Sequence, residues 1–96
     1  MIRSFRNRGT EGVYNGEKTA AARKTCPQRI WDVAQRKLDQ INRVSELRFL
    51  AVPPGNQLEA LRGDRKGQHS IRINQKYRIC FTWDDGAHNV EITDYH

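Results

Sequence analysis

The sequence predicts an α+β fold in which an antiparallel-dominated sheet of four to five strands carries N-terminal helices on one face. Three observations lead there. Residues 68–96 alternate polar and apolar side chains in three runs separated by turn residues, the pattern of an antiparallel meander. Residues 30–44 instead repeat apolar side chains at spacings of three and four, the pattern of an amphipathic helix. A chain of 96 residues has room for one domain, spanning 1–96, so the two apolar faces are expected to pack on each other.

Taken in order, Ile2 to Phe5 reads as a short first strand. Residues 7–16 contain Gly9, Gly12, Asn15 and Gly16, a loop composition with room for a brief helical turn. The alanines between Glu17 and Lys24 favour helix. The main helix is expected to start at Thr25-Cys26-Pro27-Gln28, with Thr25 as cap, Gln28 three residues on, and Pro27 in the first turn where its missing N–H loses no bond. Its apolar stripe runs through Ile30, Ala34, Leu38 and Ile41, widened by Trp31 and Val44, over about five turns. Glu46 to Leu50 continues as a helical turn until Val52-Pro53-Pro54-Gly55 stops it. Gln57 to Arg62 reads as a short strand entering the sheet. Leu58 and Leu61 lie three apart there, so alternation fails, Glu59 has no assigned face, and a bulge would reconcile the two. Gly63 to Gly67 forms a basic turn, and Asn74-Gln75-Lys76 and Asp84-Asp85-Gly86 connect hairpins.

Within the meander, Ile71, Ile73, Ile79, Phe81, Trp83, Val90 and Ile92 share one face, while Ser70, Arg72, Arg78, Thr82, Glu91, Thr93 and Tyr95 share the other. Function is expected on that polar face. Seventeen Lys and Arg against eleven Asp and Glu give a formal charge of +6, which points to a polyanionic partner: RNA, DNA or a membrane surface. Membrane is the weakest of the three. No apolar run approaches the roughly 20 residues of a spanning helix, and the opening residues lack the apolar core of a signal peptide. A cytoplasmic protein is therefore expected, with Cys26 and Cys80 as reduced thiols that match no metal or redox spacing.

Two constellations carry chemistry. The first is the basic loop with Arg62, Arg65 and Lys66, together with Arg72 and Arg78 on the strands. Flanking glycines let backbone approach a phosphate, and arginines grip one through paired donors. The loop alone reads equally well as a solvated charged turn. Arg72 and Arg78 are harder to dismiss, because like charges on adjacent strands destabilise unless an anion is expected. The second is Asp94-Tyr95-His96, where the imidazole can give and take protons near neutral pH, although a terminal His is often idle. His69, His88 and His96 show no ligand spacing, and neither a nucleotide loop nor a nucleophile with its partner is present. No metal and no cofactor are expected.

The run from Pro54 to Trp83 contains Leu-Arg-Gly-Asp-Arg-Lys-Gly at 61–67 and Ser-Ile-Arg-Ile-Asn at 70–74. Together with the terminal Asp94-Tyr95-His96 and the opening Met-Ile-Arg-Ser-Phe, it resembles the HigB toxins of the RelE superfamily over essentially the whole chain. The resemblance implies a RelE-like fold and the toxin of a bacterial type II toxin–antitoxin system. It also implies a ribosome-dependent, metal-independent endoribonuclease that cleaves mRNA in the ribosomal A site, beside 16S rRNA, and so inhibits translation. A HigA-like antitoxin is the implied protein partner, with DNA reached only through it. In such toxins the RNA's own 2′-hydroxyl is the nucleophile, so the protein supplies a base, positive charge for the phosphate and an acid for the leaving 5′-oxygen.

Residue by residue, the resemblance implies that Arg78 holds the scissile phosphate, Tyr95 stacks on or orients the substrate, His96 is the general acid and Glu59 the base. Arg62 and Arg72 match basic positions that contact RNA, and Arg65, Lys66 and Lys76 extend that surface. Asp94 orients the strand end or His96. The chain departs from many relatives at Gln75-Lys76-Tyr77, where they carry Asp-Gln-Trp before the strand arginine; Tyr77 keeps an aromatic and Lys76 adds a charge. Composition alone also suits a basic RNA- or ribosome-binding module without cleavage activity. The set Glu59, Arg78, Tyr95 and His96 favours the enzyme.

Overall fold

A computed structural model describes residues 1–94. Tyr95 and His96, expected at the site, lie outside the described residues. Four strands, β1 (Glu59–Ala60), β2 (His69–Arg72), β3 (Arg78–Trp83) and β4 (Ala87–Thr93), form an antiparallel sheet in the order β1-β2-β3-β4. This is the expected meander. The first residues run parallel to β4 and bridge Ile2 to Ala87 and Phe5 to Val90, which makes them a fringe beyond its edge.

The helices are α1 (Arg8–Asn15), α2 (Ala20–Thr25) and α3 (Trp31–Arg43). Residues 7–16 are therefore a capped helix and not the expected loop. Asn7 caps α1 by accepting from the Thr10 N–H at 2.9 Å, and Gly16 closes it in the left-handed region at φ 72°. The glycines that suggested a loop serve packing. A Cβ on Gly9 would lie 2.0 Å from Thr25 Oγ1 and 2.7 Å from the Ala21 carbonyl oxygen, and one on Gly12 would lie 3.0 Å from Ala22 Cβ. Close contact between α1 and α2 outweighs the propensity cost.

The expected start of the main helix also needs correction. Thr25 ends α2, where its hydroxyl donates to the Ala21 carbonyl at 2.9 Å, instead of capping the next helix. A 3-10 turn over Gln28–Ile30 leads into α3, with Pro27 just before it. The stripe itself holds: Trp31, Ala34, Leu38 and Ile41 are buried and join Ile71, Ile79, Phe81 and Val90 in the core cluster between helices and sheet. Thr10 on α1 ties the layers together by accepting from the Ile92 N–H at 3.0 Å.

The bulge lies elsewhere than expected. Pairing of Glu59 with Ser70 and Ala60 with His69 is regular, and the Leu61 N–H continues the ladder to the Gln68 carbonyl at 2.9 Å. Leu58 packs against the main cluster while Leu61 is buried outside it, so the two leucines that break the alternation do not share one apolar face. The register shift falls between β3 and β4, where Asn89 and Val90 together oppose Phe81. Asn89 takes φ 52°, a conformation Asn tolerates better than most residues, and its N–H reaches Ser4 Oγ at 2.8 Å. The extra residue resets parity, which lets both Ala87 and Val90 enter the core.

Leu38→Ala is expected to cost about 2–5 kcal/mol in urea denaturation, because it opens a cavity in the core cluster where Leu38 is fully buried. Burial pushes the Cys26 thiol up to about 11 from 9.0. The folded state thus retains a proton that the unfolded chain loses, so this contribution is fully present below about pH 9 and is lost as pH rises through about 11. The urea midpoint is expected to fall across that window, and the fall should be shallower in Cys26→Ala.

Candidate active site

On the sheet face turned away from the helices, the register aligns Glu59, Ser70, Cys80 and Glu91 across all four strands. Arg72, Arg78 and Thr93 form the adjoining row. Regular pairing therefore gives Glu59 the face that residue parity could not, beside Arg78.

Arg78 is held from several sides and its side chain is only 13% exposed. Its Nε donates to Ser70 Oγ at 2.8 Å, and its Nη2 donates to the Gln57 carbonyl at 2.7 Å. The same Nη2 stands 3.7 Å from Glu59 Oε1, whose side chain is 53% exposed. Arg72 faces Arg78 directly across β2 and β3 but turns away, its Nε donating to the Asn74 carbonyl at 3.1 Å. Separate tethers relieve the repulsion that the sequence suggested only an anion would relieve.

A second centre lies one step along the sheet. Arg65 donates from Nη1 to Glu91 Oε1 at 3.2 Å and to Gln68 Oε1 at 3.1 Å, strapping the 63–65 3-10 turn onto β4. Arg6 approaches the other Glu91 oxygen at 3.8 Å. Arg65, expected to face RNA, is thus engaged within the fold, whereas Arg62 and Lys66 on either side of it are exposed. Burial raises the Cys80 thiol above its usual range, and the nearby Arg65 guanidinium pulls the other way. Sequence reasoning assigned no role to Cys80, Glu91 or Gln57, because nothing in local pattern shows which groups a loop will fold back on.

Lys76 lies 3.7 Å from Asp94 and over the Tyr77 ring at 5.5 Å, so the charge that departs from the common family pattern meets the end of β4. This brings the hairpin turn, Asp94 and the Arg78 row to one end of the open face. Tyr95 and His96 follow Asp94 in sequence. Of the residues expected at the site, Glu59, Arg72 and Arg78 are together on this face.

The architecture is that of a RelE-like toxin: the family model described as "RelE-like toxin of type II toxin-antitoxin system HigB" matches residues 3–96. "Toxin HigB-1" of Vibrio cholerae is 35% identical over 87 residues, 91% of this chain and 88% of that protein. "Endoribonuclease HigB" of Proteus vulgaris is 30% identical over 97 residues, covering all of both chains. An uncharacterized protein of Haemophilus influenzae is 33% identical over 70 residues, 73% of this chain and 69% of its own. The chain belongs to the HigB-like toxin family of type II toxin–antitoxin systems. Among the described residues no helix is long and apolar enough to cross a membrane.

Arg65→Ala removes the strap and leaves Glu91, whose side chain is 17% exposed, without its closer partner. A loss of about 1–3 kcal/mol in urea denaturation is expected, with faster proteolysis of the 62–67 turn.

Proposed function

We propose that this toxin is an endoribonuclease that cuts mRNA in the ribosomal A site, and that the open sheet face around Arg78 binds the scissile phosphate. The observation that carries the reading is the Arg78–Glu59 pair: a tethered guanidinium and an accessible carboxylate 3.7 Å apart on one face. A phosphate anchored on Arg78 brings the ribose attached through its 3′-oxygen, whose 2′-hydroxyl is the nucleophile, within reach of Glu59. The name of the Proteus vulgaris relative, an endoribonuclease, supports the same activity.

In the proposed reaction Glu59 takes the proton of the 2′-hydroxyl as that oxygen attacks the adjacent phosphorus. Arg78 stabilises the charge gathering on the non-bridging oxygens, where fixed donors act most strongly. The bond from phosphorus to the 5′-oxygen breaks, and His96 supplies the proton to the departing oxygen. The products are a 2′,3′-cyclic phosphate and a 5′-hydroxyl. Because the nucleophile belongs to the RNA, the protein's part is positioning and proton transfer, and the reaction as written routes no step through a metal. Tyr95 orients the substrate, and Asp94 positions His96. Arg62, Lys66, Arg72 and Lys76 contribute to binding mRNA and 16S rRNA, while Arg65 acts by shaping the loop that carries its neighbours. Cytoplasmic ribosomes and a HigA-like antitoxin are the partners, and DNA is reached only through the antitoxin.

Arg78→Ala is expected to lower mRNA cleavage in a translation extract at least about 100-fold at a temperature where the variant remains folded, with a stability loss of about 1–3 kcal/mol from the acceptors it leaves at Ser70 and Gln57, and His96→Ala to abolish growth arrest. Primer extension should map cuts inside translated codons. Cleavage of naked RNA as fast as translated RNA would sink ribosome dependence, and ribosome binding with no new ends would instead establish a non-cleaving module.

A further inference from the structure

The seat of Arg78 extends this chemistry to residues that touch no RNA, and the extension rests on the proposed role of Arg78. A guanidinium carries five N–H donors in one plane. Here one edge of that plane is taken up: Nε by the Ser70 hydroxyl and Nη2 by the Gln57 carbonyl. Ser70 is fully buried, so its oxygen is a fixed acceptor. The remaining group, Nη1, has no hydrogen bond among the described residues, and Glu59 Oε1 stands 3.7 Å from the neighbouring Nη2.

Gln57 reaches Arg78 only by adopting φ 47°, ψ 53°, a left-handed conformation unusual for a residue with a side chain. The fold holds it there from behind. Its N–H closes the Pro54–Asn56 3-10 turn onto the Pro54 carbonyl at 3.0 Å. The buried Asn56 donates to the Leu50 carbonyl and to Gln40 Oε1, both at 3.0 Å, and accepts from Lys37. Two side chains of α3 thus fix the turn whose carbonyl grips Arg78. A left-handed residue maintained by a buried network and aimed at a functional cation is strain retained where positioning needs it.

We infer that Ser70 and Gln57 are positioning residues that hold one edge of the Arg78 guanidinium, so that its other edge is preorganised for the scissile phosphate. Without them the arginine keeps its charge but must be ordered at the moment of reaction. The effect falls on the chemical step and not on ribosome binding.

The test uses the full chain on programmed ribosomes, measuring single-turnover mRNA cleavage against toxin concentration for wild type, Ser70→Ala and Gln57→Val. In parallel, the ¹⁵N–¹H resonance of Arg78 Nε is followed and assigned by its loss in Arg78→Lys. Both variants are expected to lower the saturated rate about 10- to 100-fold, with the half-saturating concentration within about twofold of wild type. Ser70→Ala should also shift the Nε–H resonance and speed its exchange with solvent. An unmoved resonance in Ser70→Ala overturns the inference, and so does a wild-type saturated rate or a loss confined to half-saturation. If Arg78→Ala itself cuts at the wild-type rate, the proposed role of Arg78 fails and the inference fails with it, while an intact Nε–H signature separates that outcome from a misassigned seat.

Discussion

The pairing of Ser70 with Glu59 on one side and Cys80 on the other is the constraint on which the site depends. Side chains repeat every two residues along a strand, so a one-residue slip of β1 would send Glu59 to the helix-packed face and remove it from Arg78. The two-residue strand is too short to hold its register by ladder hydrogen bonds alone. It is held at its start by the left-handed turn at Gln57 and beyond its end by the Leu61–Gln68 bond, while Leu58 packs on the core cluster and Leu61 is buried outside it.

The helical layer contributes more than a cover for the sheet. Gly9 and Gly12 let α1 and α2 approach closely, and Thr10 then carries α1 onto β4 through the Ile92 N–H. From α3, Lys37 and Gln40 reach Asn56 and fix the turn ahead of β1. Apolar packing on one side of the sheet and polar order on the other are therefore joined through buried side-chain hydrogen bonds, which are directional where hydrophobic contact is not.

A charge of +6 is not spread as a uniform basic coat. Arg65 is drawn down to Glu91, Arg78 lies against Ser70 and Gln57, and Arg72 turns to Asn74, whereas Arg62 and Lys66 stand exposed. The tethered arginines offer fixed geometry at the cost of reach. The exposed ones offer long-range attraction that salt screens. Under the proposed function, these two kinds would serve respectively to hold one phosphate and to find a polyanion.

Much of this was legible in the chain itself. Alternation along residues 68–93 determined the meander and which side of it is apolar, and the three-and-four spacing from Ile30 to Ile41 determined the helix that covers it, because both patterns are local consequences of backbone geometry. Glycine content misled at 7–16, since a residue that permits a loop also permits two helices to touch. Threonine at position 25 misled for a similar reason: its hydroxyl can cap the helix ahead or bond back into the one behind. Tertiary structure alone decided the face of Glu59, the engagement of Arg65 with Glu91, and the seat that Ser70 and Gln57 make for Arg78. Each joins residues distant in sequence, and no local periodicity encodes which distant acceptor a guanidinium will meet.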